Sequence, residues 1–158
     1  MLINLVPLQV NSIFIYIASL PLCVVISMTI HELFHFAFFK FAGVRIKELK
    51  ISILSFRYKD EKVKVSYSKN DIFKGYCSCI INPKSPKTKI CIAIFMGGFS
   101  NVLLFFTCLF MYMHLSNSSL LISHFLKIQM LVGLIDVCVN LAHPQSHDRK
   151  LIRYIREL

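Results

Sequence analysis

Apolar residues run almost unbroken from Ser12 to Ile30, and Phe34, Phe36, Phe38 and Phe39 carry the run onward. A stretch from about Ser12 to Phe39 exceeds the roughly 20 residues that a bilayer core requires. It therefore predicts a first spanning helix that is tilted, or kinked at Pro21. A second span is expected over 90–114 and a third over 120–141, the latter polar in its outer part at His124, Lys127 and Gln129, so that either Lys127 snorkels outward or the true span is short. Between them, Leu115 to Ser123 has no charged side chain, as suits a short external loop. Residues 1–11 hold Pro7 and two asparagines and read as an interfacial lead-in.

Between the first two spans the pattern changes period. Leu49, Ile51 and Ile53 alternate with Lys50 and Ser52, and Val63, Val65 and Tyr67 alternate with Lys62, Lys64 and Ser66. Alternation of this kind predicts strands, and the polar Lys59-Asp60-Glu61 between the runs predicts a β-hairpin over 48–68. Parity slips between Ile53 and Phe56, which points to a bulge. From Asn70 to Lys89 the sequence is irregular, with Pro83 and Pro86 among lysines. The expected fold is an α-helical integral membrane protein with a three-span core and a small cytosolic β-hairpin between spans 1 and 2.

Composition agrees. With 158 residues, of which 56% are apolar, the chain suits one membrane-embedded domain, residues 1–158, better than a soluble one. Its net charge of +10 would by itself permit nucleic acid as a partner, but the charges cluster between apolar runs and at the C-terminus. Twelve of the eighteen Lys and Arg residues fall in the 43–89 loop, the layout of a cytosolic loop. The expected location is thus the cell membrane, multi-pass, with the basic loop and the C-terminus cytosolic and no nucleic acid bound. The loop would lie on anionic headgroups, as would the amphipathic tail from Arg149 to Leu158. The N-terminus has no basic region and no small-residue cleavage site after the first apolar run, so the first span is expected to be retained. Cys23, Cys91, Cys108 and Cys138 lie in apolar runs and act as small hydrophobes; Cys77 and Cys79 form an isolated CxC, read as a reduced pair.

Chemistry is concentrated in His31-Glu32-Leu33-Phe34-His35. On a helix the two imidazoles stand at i and i+4 on one face and can grip one metal ion; zinc suits two neutral imidazoles. Glu32 is poorly placed as a third ligand but can take a proton from water at the metal as general base. Ionisable groups are costly in so apolar a helix unless they have a partner or a task. At 1.5 Å per residue, His31 lies roughly 13 Å along the helix from Lys40, below the membrane surface yet within reach of cytosolic water. Asn101, after the paired Gly97 and Gly98, lies at about the same depth, either for the site or as interhelical glue; the glycines allow close helix approach. A second polar group closes the third span: Asn140, His143, Pro144, His147 and Asp148, with Asp136 one turn before Asn140. Pro144 disturbs the helix there.

Three spans carrying HExxH, then GGxxN, then Asn140 with Pro144 and Asp148 resemble the three-helix core of the site-2 protease family of intramembrane zinc metalloproteases. The resemblance covers Ser12 to about Ile152. It implies His31 and His35 as two ligands of one zinc ion, Glu32 as the catalytic glutamate and Asp148 as third ligand. Asn101 and Asn140 match the family's asparagines and are implied to hold substrate or stabilise the oxyanion. The family's proline usually lies three residues after the asparagine, where this chain has His143, and Arg149 replaces the glycine that usually follows the aspartate. His143, His147 and Asp136 are alternative third ligands.

The implied function is zinc-dependent endopeptidase cleavage of a membrane-embedded peptide or single-span protein, in contact with the lipid bilayer. One alternative is an impaired relative that only binds a membrane peptide; another is a structural three-helix subunit, which predicts no metal. An extended substrate inside a membrane needs its amides paired, and an edge of the 48–68 hairpin is expected to supply the strand. Oligomeric state and accessory proteins are not legible.

Overall fold

The computed structural model describes residues 10–59, 62–81, 86–115, 119–142, 148 and 150–153. Residues 1–9 of the expected 1–11 lead-in, the Asp60-Glu61 turn, His143, Pro144, His147 and Arg149 lie outside them, as does most of the amphipathic tail; Val10 and Asn11 already belong to the first helix. Three helices dominate: α1 (Val10–Phe41), α2 (Lys87–Leu115) and α3 (Leu120–Ala142). Each is long and apolar enough to cross a membrane, and the chain is a multi-pass membrane protein. Pro21 sits inside the continuous α1. Apolar side chains such as Phe14, Phe106, Phe110 and Leu131 remain exposed on the outer helix faces, which in a bilayer is where lipid lies.

α1 ends because Gly43, at φ 74°, adopts the left-handed conformation that closes a helix C-terminus; Ala42 and Val44 donate back to the carbonyls of Phe38 and Phe39. The chain then enters a four-stranded antiparallel sheet of β1 (Arg45–Ile51), β2 (Leu54–Lys59), β3 (Lys62–Tyr67) and β4 (Gly75–Ile80), in the order β3-β2-β1-β4.

The sheet is larger than the expected hairpin and differently paired. The Leu49–Ile53 run does not meet the Val63–Tyr67 run, because β2 lies between them. Ile51 pairs with Leu54, so the parity slip is a two-residue turn through Ser52, at φ 55°, and not a bulge. The irregularity lies instead near Lys47, where the β1–β4 register shifts between Ile46 and Glu48. β1 is flanked on both sides, leaving β3 and β4 as the edges.

Two clusters hold these parts together. Phe39, Val44, Leu49, Cys77, Ile90, Ala93 and Ile94 join the end of α1, the sheet and the start of α2. Farther along, Cys23 packs with Ile128 and Val132 of α3. Lys50 is buried yet ion-paired to Asp71, whose carboxyl is held below its usual range by hydrogen bonds from Lys50, Lys74 and Ser68. That pair fastens the Lys69–Asp71 turn onto the sheet, directly before β4. Near the start of α3, His124 and Lys127 are accommodated as aromatic partners: His124 Nδ1 lies 2.6 Å from the Tyr16 hydroxyl, and Lys127 Nζ lies 5.3 Å from the Tyr112 ring centroid.

Candidate metal centre and active site

The helical spacing of His31 and His35 brings their rings to 4.7 Å between centroids, with the two Nε2 atoms 3.1 Å apart. Both residues are buried. Asp148, in the helical residues after α3, closes the group: Oδ1 lies 3.1 Å from His35 Nε2 and Oδ2 lies 3.6 Å from His31 Nε2. One ligand atom from each of the three residues falls within 4.8 Å of the others. Among the described residues this is the only such group. Burial pushes the Asp148 carboxyl up, but hydrogen bonds from His31 and His35 outweigh it and hold it below the usual carboxylate range. A carboxylate that stays ionised beside two imidazoles is a sound donor set for zinc.

The other nitrogen of each ring is committed. His35 Nδ1 lies 3.0 Å from the carbonyl oxygen of Ala93 on α2, an acceptor only, so the proton belongs on Nδ1 and Nε2 keeps its lone pair for a metal. His31 Nδ1 faces Asn101 Nδ2 at 3.2 Å and Asp136 Oδ2 at 3.7 Å. Asn101 Nδ2 also donates to Asp136 and its Oδ1 accepts from Ser27 at 2.9 Å, so Asn101 links His31 to the Asp136 carboxylate beyond it. Outer carboxylates of this kind orient metal-binding histidines.

The helices fit this closely only because of Gly97. A Cβ there would lie 2.7 Å from His35 Cδ2 and closer still to Nε2 and Cε1. The paired glycines thus do not serve one purpose: Gly97 admits an imidazole, whereas a Cβ on Gly98 would meet nothing within 4 Å. Glu32, between the histidines in sequence, is 7% exposed, and its Oε2 has no hydrogen-bond partner among the described residues. Such a buried orphan is costly unless something else fills the position. Above it sits β4, so close that a Cβ on Gly75 would lie 2.9 Å from Glu32 Cγ and 2.6 Å from Met28 Cγ.

Of the two asparagines, Asn101 is fully buried among Ser27, His31 and Asp136. Asn140 instead lines an open cavity of about 780 Å³ between α2 and α3, which Asp148 also lines, and lies 3.4 Å from Asp136. Cys77 and Cys79 face the α1 packing layer as thiols; burial pushes Cys77 up strongly and Cys79 to about 11. Ser27, the Ala93 carbonyl, Gly75 and the separate duty of Gly97 were not expected from sequence. Ser27 alone had a visible signal, standing one turn before His31 on the same face.

Buried His31 and His35 and the Asp148 carboxylate, beside a buried glutamate whose Oε2 has no hydrogen-bond partner among the described residues, form a candidate HExxH metal centre within a helical membrane bundle. The sequence model of Peptidase family M50 matches residues 19–153, and the chain belongs to that family, the site-2 protease family. No curated protein and no solved structure matches it significantly.

Proposed function

We propose that this chain is a zinc-dependent intramembrane endopeptidase acting on a membrane-embedded peptide or single-span protein. The observation that carries this is the convergence of His31, His35 and Asp148 beside a buried, unpartnered Glu32 Oε2, in a chain of a protease family. The residues fit one zinc ion: two Nε2 lone pairs and a carboxylate, with Glu32 left over. When bound, zinc supplies a Lewis acid that polarises a carbonyl and acidifies water. Glu32 takes the proton of the attacking water and returns it to the leaving amine. The Ala93 carbonyl holds the His35 Nδ1 proton, and Asn101, backed by Asp136, stands against His31 Nδ1, so that both rings keep their orientation. Asn101 acts through His31, as a positioning residue, while Asn140, at the cavity wall, is the asparagine available to substrate or oxyanion.

An extended substrate would pair with β4, the edge strand that touches α1 at Glu32, and not with β1, which is enclosed. The basic sheet and C-terminus face the cytosol and the Ser116–Ser123 link faces outside, on the charge asymmetry of the loops. Purified protein is expected to carry one zinc that His31→Ala loses. Glu32→Gln should keep the zinc and lose cleavage by about 10²- to 10⁴-fold; undiminished cleavage by that variant would sink the mechanism.

A further inference from the structure

We propose that the cavity between α2 and α3 is a subsite for one bulky apolar substrate side chain flanking the scissile bond, and that Gly98 keeps it open. This rests on the protease assignment above. The cavity begins at the metal centre, because Asp148 belongs to both: its carboxylate faces the two histidines, and its side chain forms part of the cavity lining. A carbonyl presented to that centre therefore places a neighbouring side chain at the cavity mouth. The remaining walls are mostly apolar, with Phe95, Phe99 and Val102 from α2 and Val137 from α3, and Asn140 and Arg153 are the other polar residues of the lining. At about 780 Å³ the space falls within the ordinary range of ligand pockets and admits a leucine or phenylalanine side chain with adjoining backbone.

Gly98 makes the inference testable. Its neighbour Gly97 cannot carry a Cβ without striking His35, but nothing lies within 4 Å of a Cβ on Gly98, and Gly98 lines the cavity. A larger side chain there occupies the cavity and leaves the metal ligands alone.

The probes are three hydroxamates, which grip zinc directly, each carrying one side chain: alanine, leucine or phenylalanine. Their affinities are measured by competition on the zinc-loaded full chain in detergent, with zinc content determined alongside. In the wild type the leucine and phenylalanine compounds are expected to bind about 10- to 200-fold more tightly than the alanine compound. Gly98→Leu should abolish that preference while the alanine compound's affinity and the zinc content stay unchanged. Gly98→Ala, which adds a single carbon, should shift it less in the same direction and guards against a folding defect in the larger variant. Equal affinities for the three compounds in the wild type, or uniform weakening by Gly98→Leu with normal Gly98→Ala, overturn the subsite alone. Failure of all three to bind zinc-loaded wild type overturns the metal-centre assignment and the subsite with it.

Discussion

Gly97→Ala replaces one hydrogen by a methyl group at the most crowded point of the site. The new Cβ would stand 2.7 Å from His35 Cδ2 and nearer to the two ring atoms beyond it, where ordinary contact begins at 3.4 Å. The imidazole must retreat by more than about 1 Å at its nearest atom, Nε2, or α2 must move away from α1. Metal–ligand distances tolerate only about 0.2 Å, so either response removes His35 from the zinc. Zinc affinity is expected to fall by more than about 100-fold, beyond the usual cost of losing an outer partner. The metal-free protein should lose roughly 1–3 kcal/mol from overpacking. Gly98→Ala is the matched control, since it makes the same chemical change on the same helix into open space. Glycine is about 1 kcal/mol less favourable than alanine in a helix, so that variant should bind zinc normally and melt no lower. Zinc stoichiometry, competition against a chromophoric chelator and melting of the metal-free form separate the two effects. Wild-type zinc affinity in Gly97→Ala would refute the argument that His35 is locked in place by α2.

Three further outcomes are expected. Asp136→Ala removes the carboxylate that anchors Asn101 beside His31 Nδ1 and should weaken zinc binding by about 10- to 100-fold, measured with the same chelator; no change would leave Asp136 without a part in orienting the ring. Proline substitutions scanned along β4 should reduce cleavage in variants whose zinc content is normal, because proline removes an edge donor, whereas proline at Val65 on the far edge should not. With the native cysteines removed, Ser118→Cys should be labelled only from outside the cell, and labelling from the cytosolic side alone would invert the proposed topology.

The three spans were legible because their apolar runs are long and the loops between them differ in charge. His31 and His35 were equally plain, since four residues on a helix fix a shared face. The sheet was only partly legible. Ser52-Ile53 lacks the glycine or asparagine that marks a tight hairpin turn, so β1 and β2 read as one irregular strand. β4 alternates Gly75, Cys77 and Cys79 with Tyr76, Ser78 and Ile80, and its inward residues are too small to register as an apolar stripe. Asp136 was noticed as a possible ligand, but its bonding to Asn101 and its approach to His31 depend on how α2 and α3 meet, which no local pattern encodes. The cavity at Gly98 was invisible for the same reason: adjacent glycines look alike in sequence, and only the neighbouring helix makes one crowded and the other empty.

The two histidines are steadied by partners of different mutability. Ring orientation at His31 depends on Asn101 and on Asp136 behind it, side chains that a single nucleotide change can replace. At His35 it depends on the carbonyl of Ala93, which every residue at that position would supply. Drift in a lineage released from selection for cleavage would therefore loosen the first ligand well before the second. Decaying copies of such a gene should accumulate changes at position 136 while position 93 varies freely in side chain without consequence for the imidazole it holds, so long as the replacement fits between the helices.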